Sequence, residues 1–243
     1  MNKTSQYQFT IVIPVYNEEG NMKALEERLA AYLPTCPMKA CVLFVNDCST
    51  DSTKEMIDDI CSRRSDFFYI DHTRNLGCSG VMKTAFGLVE SEYTGYTDAD
   101  LQTMPEEFNL LLPYAKDYTL VTGIRSSRED GFRKKLQSRI GNGFRRMMTN
   151  DGALDSVCPL KVIKTEAARR LPMFNGMHRF LPALVLLQEG GCYKQIMVTH
   201  CPRTAGKSKF NMWNRLRGFT DCFIYRWIRK NYVDYPYGET NIR

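Results

Sequence analysis

Long apolar runs are missing from this chain of 243 residues. A helix that crosses a bilayer needs about 20 consecutive apolar residues, and the longest candidate, residues 180–187, is much shorter. The first six residues also lack the apolar stretch of a secretory signal peptide. We therefore expect any membrane contact to be peripheral or through a membrane-anchoring partner protein.

Disulfide, zinc and nucleotide-loop patterns are missing as well. The nine cysteines include no C-x-x-C pair, and the three histidines include no H-x-x-x-H pair. We therefore expect reduced thiols in a cytosolic setting and no zinc chemistry. The sequence has no G-x-x-x-x-G-K-[ST] loop and no G-x-G-x-x-G after its first strand, which disfavours phosphate-loop nucleotidases and dinucleotide binders.

The overall composition fits one globular domain. Hydrophobic residues make up 43% of the chain, enough for a substantial core. The 33 basic residues exceed the 27 acidic ones, but this balance does not choose between phosphates, nucleic acid and a membrane surface. The basic residues are not interleaved with aromatic residues in a nucleic-acid-binding module, so nucleic acid is not an expected partner.

Strands alternate with helical patterns in the first hundred residues. Apolar or apolar-leaning strand patterns occupy residues 9–15, 41–45, 67–70 and 93–97. Between them, apolar residues recur at helical spacing, as in Met22, Leu25 and Leu29. This alternation predicts an α/β fold with a largely parallel central sheet, whose ligands bind at the carboxyl ends of the strands.

Polar residues follow three of these strands. The stretches are Tyr16-Asn17-Glu18, Asn46-Asp47 and Asp98-Ala99-Asp100-Leu101-Gln102. On an extended backbone, Asp98, Asp100 and Gln102 project to one side, and their oxygen atoms suit Mg²⁺ or Mn²⁺ completed by substrate phosphates. The alternative for an isolated D-x-D is a solvated polar turn.

Four motifs in order carry a resemblance to a known family: residues 13–18, residues 46–51, Arg74-Asn75-Leu76-Gly77 and residues 98–102. With them, the chain resembles the family 2 glycosyltransferases, inverting enzymes of the GT-A fold, in their dolichol-phosphate mannosyltransferase-like branch. The resemblance covers residues 9–210. Asn46 and Cys48 depart from it, because the family usually has an acid and a glycine there.

The resemblance implies a donor site in the first half of the chain. The residues expected at the donor nucleotide are Pro14, Tyr16, Asn17, Glu18, Asp47, Asn75, Asp98 and Ala99. Asp98, Asp100 and Gln102 are the expected ligands of the divalent metal.

The resemblance also implies an acceptor site in the second half. The residues expected at the acceptor phosphate or the leaving diphosphate are Arg125, Ser138, Arg139, Arg203, Ser208 and Lys209. The expected catalytic residues are Asp98, Asp100, Asp155 and Arg203, with Asp155 as the base if the acceptor is a hydroxyl. Cys158-Pro159-Leu160-Lys161 departs from the usual Gly-Phe-Arg, and a solvated basic face is the alternative for Arg145 and its neighbours.

The C-terminal segment has a helical pattern of aromatic and basic residues over residues 210–232. Phe223, Ile224, Trp227 and Ile228 are expected mainly on one face, with Arg226 and Arg229 mostly opposite. Such a helix either lies on anionic lipid or packs on its own domain. We expect a catalytic domain at 1–209, with a donor half to about 105, followed by this tail at 210–243.

The resemblance predicts a metal-dependent inverting glycosyltransferase. It would move a hexose-type sugar from a UDP- or GDP-linked donor to a polyprenyl phosphate on the cytoplasmic face of a membrane. Two alternatives stay open: a family member that acts on a hydroxyl of a lipid-linked or surface glycan, and a non-catalytic binding subunit with the same fold.

Overall fold

A seven-stranded sheet forms the centre of the protein in the computed structural model, which describes residues 2–125, 143–201 and 212–235. Its strands are β1 (Phe9–Val15), β2 (Ala40–Asn46), β3 (Phe67–Asp71), β4 (Tyr93–Tyr96), β5 (Leu120–Arg125), β6 (Lys161–Lys164) and β7 (Tyr193–Val198). They lie in the order β3-β2-β1-β4-β6-β5-β7.

Helices cover both faces of the sheet. They are α1 (Glu19–Tyr32), α2 (Thr53–Arg63), α3 (Gly77–Leu88), α4 (Phe108–Leu111), α5 (143–149), α6 (Thr165–Arg169), α7 (Leu181–Val185) and α8 (Met212–Asn231). Short 3-10 turns lie at Lys3–Gln6, Leu33–Thr35, Pro105–Glu107, Leu112–Tyr114 and Met177–Phe180.

The first four strands are parallel, as the sequence predicts. In the register of the sheet, Val15 lies beside Asn46, and Asn46 lies beside Asp71. The carboxyl ends of β1, β2 and β3 therefore meet at one edge, with the end of β4 next to β1. This edge collects the polar stretches that follow the strands.

Strand β6 is antiparallel and lies between β4 and β5. Its first residue, Lys161, pairs with Tyr96 at the end of β4 and with Thr122 on β5. Because β6 runs the opposite way, its amino-terminal end lies at the edge where β4 ends. The residues before β6 are thereby brought to the same edge as the acidic motif.

Two apolar cores, one on each face of the sheet, hold the helices in place. One contains Phe9, Phe44 and Phe108, whereas the other contains Phe180 and Tyr225. Each fully buried side chain of this size contributes roughly 1.5–3 kcal/mol. The central strand β4 needs glycine in the first core, because a Cβ at Gly95 would lie 2.4 Å from the Phe9 ring.

The C-terminal helix is present and has two different faces. Cys222, Tyr225 and Ile228 are buried against the domain, while Phe223 and Trp227 are exposed. The expectation that Ile228 shares a face with Phe223 was wrong, because residues five apart on an α-helix point about 140° apart. Over the described residues, no helix is both long and apolar enough to cross a bilayer. The predicted domain boundaries stay predictions.

Candidate active site at the carboxyl edge of the sheet

The acidic motif forms a tight loop immediately after β4. Asp100 is buried and Asp98 is half-buried. The backbone amide of Gln102 donates to Asp100 Oδ1 at 3.2 Å, and Leu101 adopts a left-handed backbone with φ of 54°. Side chains with a Cβ rarely adopt this conformation, and such strain is typical of functional loops. The loop is anchored to the end of β7, since the Cys201 amide donates to the Gln102 carbonyl at 2.7 Å.

The oxygen atoms of this loop suit a divalent cation whose remaining ligands come from a substrate. The described residues contain no group of three or more His, Cys, Asp or Glu that could hold a metal alone. A protein nevertheless needs to supply only two carboxylates when substrate phosphates complete the coordination shell of Mg²⁺ or Mn²⁺. The buried hydroxyls of Thr97 and Thr103 flank the motif without a hydrogen-bond partner, so unsatisfied oxygen atoms lie on both sides of it. The role of Gln102, whose Nε2 lies 3.5 Å from the Cys201 carbonyl, stays a prediction.

The loop after β1 is bonded to the loop after β2. The side-chain Oδ1 of Asn17 accepts from the Thr50 backbone amide at 2.8 Å, and the backbone amide of Asn17 donates to Ser49 Oγ at 3.0 Å. The Glu18 amide donates to Thr53 Oγ1 at 2.9 Å. Pro14, Tyr16, Asn17 and Glu18 therefore stand at the sheet edge next to β2, as the sequence predicts, and their contact with a nucleotide stays a prediction.

Asp47 is buried and holds the amino-terminal end of α3. Its carboxylate accepts from His72 Nδ1 at 2.8 Å, from the Leu76 amide at 2.8 Å and from the Gly77 amide at 2.7 Å. Asn75 donates to the Asp47 carbonyl at 3.2 Å. The predicted nucleotide contacts Asp47 and Asn75 thus lie together. His72, which also contacts Thr84 Oγ1 at 3.0 Å, holds Asp47 in position.

The two departures from the family pattern at β2 have structural consequences. Asn46 donates to Asp71 Oδ1 at 2.9 Å, so a carboxylate from β3 lies beside the residue that replaces the family's acid. Cys48, in place of the usual glycine, has φ of 64°. A left-handed residue with a Cβ costs roughly 1–2 kcal/mol. Sequence reasoning missed Asp71, although its place at the end of a predicted strand was a usable signal.

Arg125 and Asp155 form a bidentate pair across the site. Arg125 Nε donates to Oδ2 at 2.8 Å, and Nη2 donates to Oδ1 at 2.9 Å. Burial opposes ionisation of Asp155, but the guanidinium more than offsets it, so the pKa of this carboxyl lies below its ordinary value. Both predicted acceptor residues are therefore together, and Asp155 is held as a weakly basic carboxylate.

Lys161 is buried near this pair and donates to the Cys158 carbonyl. Burial lowers the pKa of the ammonium group, while the nearby Cys158 and Asp155 act in the opposite direction. Burial likewise raises the pKa of the Cys158 thiol. The residues that replace the family's Gly-Phe-Arg thus place a buried lysine near the Arg125–Asp155 pair.

The first turn of α3 adds Ser79, which sequence reasoning missed. Ser79 Oγ lies 2.8 Å from His178 Nδ1. Burial, with the charges of Arg179 and Lys161, lowers the pKa of His178 to about 3, so it is neutral at physiological pH. The run Gly77-Cys78-Ser79-Gly80 at a helix start was the available signal.

Several predicted residues lie outside the described residues: Ser138, Arg139, Arg203, Ser208 and Lys209. Their roles stay predictions. The solvated basic face was the wrong interpretation for Arg145, which is buried. Asp151, whose Oδ2 lies 2.7 Å from Arg145 Nη1, compensates its charge.

Comparison with known proteins gives a consistent family. The family model described as Glycosyl transferase family 2 matches residues 10–171. A dodecaprenyl-phosphate galacturonate synthase from Rhizobium johnstonii is 26% identical over 88% of this chain and 65% of its own length. An undecaprenyl-phosphate 4-deoxy-4-formamido-L-arabinose transferase from Edwardsiella ictaluri is 27% identical over 86% of this chain and 65% of its own. The chain thus spans about 65% of the length of these curated relatives.

A solved structure supports the fold assignment. The mannosyltransferase PcManGT from Pyrobaculum calidifontis, solved with GDP-Man and Mn²⁺, superposes with a TM-score of 0.66. The sequence identity is 17%, and the match covers 97% of this chain and 68% of that one. The structural neighbours are GT-A glycosyltransferases, which confirms the predicted fold class.

Proposed function

The chain belongs to glycosyl transferase family 2, and on that premise we propose that it transfers a sugar from a nucleoside diphosphate donor to a polyprenyl phosphate. One observation carries the proposal: the carboxylates of Asp98 and Asp100 stand on the same sheet edge as the Asn17, Glu18 and Asp47 loops. A metal-bound diphosphate and its nucleoside would occupy these two parts of one edge.

Asp98 and Asp100 would hold Mg²⁺ or Mn²⁺ together with the donor diphosphate. The cation, when bound, would stabilise the negative charge that develops on the leaving diphosphate. The left-handed backbone of Leu101 and the bond from the Gln102 backbone amide to Asp100 Oδ1 would hold the Asp100 carboxylate in place. Asp47 keeps Asn75 and the start of α3 next to the nucleoside position through its hydrogen bonds.

The Arg125–Asp155 pair favours a phosphate acceptor over a hydroxyl. A hydroxyl needs a general base whose pKa is near neutral, whereas a phosphate monoester is already anionic. Asp155 has a lowered pKa and is engaged by Arg125, so it is a poor base. Asp155 accepts from Nε and Nη2 of the guanidinium, and the Nη1 donors are the ones we propose for an anionic acceptor.

The finer parts of the proposal follow the relatives. Their names specify dodecaprenyl and undecaprenyl phosphate, which supports a polyprenyl phosphate acceptor reached from the cytoplasmic face by peripheral association or through a membrane-anchoring partner. We propose an inverting displacement, with the donor base, uracil or guanine, as the variable to be measured. Arg139, Arg203 and Lys209 are the further cations proposed at the acceptor and the leaving group.

A donor screen tests this function. UDP- and GDP-sugars are offered with Mn²⁺ or with chelator, and product is measured on polyprenyl phosphate and on glycan acceptors side by side. We expect transfer to polyprenyl phosphate only when metal is present. Asp100→Ala should reduce turnover by at least about a hundredfold, whereas the exposed control Asp117→Ala should retain it.

Three results would contradict the proposal. Wild-type turnover in Asp100→Ala would remove the motif from the mechanism. Transfer only to glycan hydroxyls would select the alternative acceptor. Calorimetry that detects no metal-dependent binding of any nucleoside diphosphate would select the non-catalytic subunit.

A further inference from the structure

The outward face of α8 carries a stripe of exposed aromatic residues. Phe219, Phe223 and Trp227 follow each other at intervals of four residues, and Phe223 and Trp227 are 62% and 63% exposed. Residues four apart lie on one side of a helix. The opposite side, with Cys222, Tyr225 and Ile228, is buried in the domain. The helix is therefore already packed and still presents large apolar rings to solvent.

Helix α5 widens this stripe into a surface. The Phe144 ring lies 5.1 Å from Phe219 and 6.4 Å from Phe223, measured between ring centroids. Met147, on the same short helix, is 71% exposed. We call the surface formed by Phe219, Phe223, Trp227 and Met147 the aromatic patch.

The charges around the aromatic patch are positive. Arg226, Arg229 and Lys230 are exposed on α8 and line one surface hollow with Trp227. Within residues 218–231, the acidic side chain is Asp221, which is buried and pairs with Arg179 at 2.7 Å. A surface that combines exposed aromatic rings with basic residues complements an anionic lipid bilayer, in which the rings enter the interface and the cations meet headgroup phosphates.

We propose that the aromatic patch and its basic border dock the protein on an anionic bilayer. This inference rests on the proposed function, because a polyprenyl phosphate has to be met at a membrane. It goes further by naming the surface and its orientation: Phe223 and Trp227 enter the interface, and Cys222, Tyr225 and Ile228 face the domain.

The buried side of α8 links the aromatic patch to the candidate active site. Asp221 pairs with Arg179, and the neighbouring His178 contacts Ser79 in the first turn of α3. That turn also supplies the Gly77 amide to Asp47. A helix held at the bilayer by its outer face is thus fixed to the sheet edge by its inner face. Docking would keep the carboxyl edge near the lipid surface.

Vesicle flotation of the full chain tests the inference. The vesicles contain phosphatidylcholine with or without 30 mol% phosphatidylglycerol, a proportion of roughly a third chosen to mimic an anionic leaflet, and no polyprenyl phosphate. We expect binding to the anionic vesicles. The double variant Phe223→Ser/Trp227→Ser should lower the partition coefficient at least about tenfold, and Arg226→Ser/Lys230→Ser about fivefold or more.

Two control measurements make the test decisive. Leu88→Ser, which removes an exposed apolar residue at the far end of α3, should bind like the wild type. Unchanged thermal melting of the α8 variants shows that they remain folded. Equal binding of wild type and both α8 variants to anionic vesicles overturns the inference.

The inference and the proposed function fail in different ways. With a short-chain, water-soluble polyprenyl phosphate, the Phe223→Ser/Trp227→Ser variant should keep wild-type transfer, while transfer to the bilayer-embedded acceptor falls. Vesicle binding without transfer to either acceptor would contradict the proposed function but would still support the docking surface. A wild-type dimer that does not bind vesicles, and that the double variant dissociates, would identify the patch as a contact between copies and overturn the inference.

Discussion

The two halves of the protein use their ion pairs in opposite ways. In residues 2–119, the pairs between Arg or Lys and carboxylates lie near the surface, such as Arg28–Glu106, Lys54–Asp58 and Arg63–Asp59. In the described residues from 120 onward, arginine–aspartate pairs are mostly inside: Arg125–Asp155, Arg145–Asp151, Arg170–Asp234 and Arg179–Asp221.

The loops after β1 and β2, which we call the donor edge after the proposed donor site, contain a buried carboxylate without an arginine or lysine partner among the described residues. The buried carboxylate of Asp47 is satisfied by two backbone amides and His72. Buried charges are costly unless they are paired and hydrogen-bonded. The difference suits the proposed substrates, because acidic residues would be available to a metal-bound donor, and Arg125, held by Asp155, would face an anionic lipid phosphate.

The largest expected effect is on the most deeply buried pair. Asp151→Asn leaves the Arg145 guanidinium buried and without its counter-charge, which should lower the free energy of unfolding by roughly 3–5 kcal/mol. Urea unfolding measures this loss. The control is the matched change at the exposed pair, Glu106→Gln opposite Arg28, which should lower the free energy of unfolding by about 0–1 kcal/mol. Equal losses at the two sites would end the contrast between the halves.

A smaller loss is expected at the active-site pair. Asp155→Asn should cost roughly 1.5–3 kcal/mol at pH 7, because charge-assisted hydrogen bonds to Arg125 are lost. Since the folded pKa of Asp155 is lowered, its contribution is present above the ordinary value of 3.8 and is lost as the pH falls below it. Unfolding of wild type and variant from pH 7 to pH 2 should therefore converge in acid. A constant difference would contradict this.

The donor edge should respond more locally. Asp47→Asn places an amide where three donors now converge, and the unsatisfied group should cost roughly 1–3 kcal/mol. The hydrogen exchange of the Leu76 and Gly77 amides should accelerate, because they lose their acceptor. His72→Gln, which can still donate to Asp47, serves as the control and should protect these amides. Unchanged exchange in Asp47→Asn would show that α3 does not depend on the carboxylate.

The smallest effect should have the opposite sign. Cys48→Gly relieves a left-handed backbone with φ of 64°, and the protein should gain roughly 0.5–1 kcal/mol after the entropy cost of glycine. Cys36, whose φ is −64°, gives the control. Its change to glycine should destabilise the fold. Thermal melting measures both variants. Melting temperatures that shift in the same direction would show that the backbone at Cys48 is not strained.

The sequence was most informative where the structure depends on local, periodic patterns of apolar residues. The strands β1 to β4, their parallel order and the polar edge all follow from apolar runs with polar residues after them. The antiparallel β6 did not follow, because a four-residue strand carries too little pattern to give its direction or its neighbours.

The acceptor side shows why charge partners were hard to predict. Arg125 and Asp155 are 30 residues apart and meet only because β6 returns beside β5. Arg145 looked like part of a solvated basic face, and only the fold shows Asp151 beneath it. For α8, the helix was predictable from its spacing, but which aromatic residues pack inward depends on the domain it covers.

Strand β6 also limits how the protein can move. It joins β4 to β5, and each apolar core takes residues from both the early and the late strands. Closing one half over the other as a rigid body would shear ladder hydrogen bonds and open both cores, at a cost far above thermal energy. Substrates bound at the carboxyl edge, as proposed, would therefore be captured by movement of its loops, and crystal structures with and without substrate should show the same sheet.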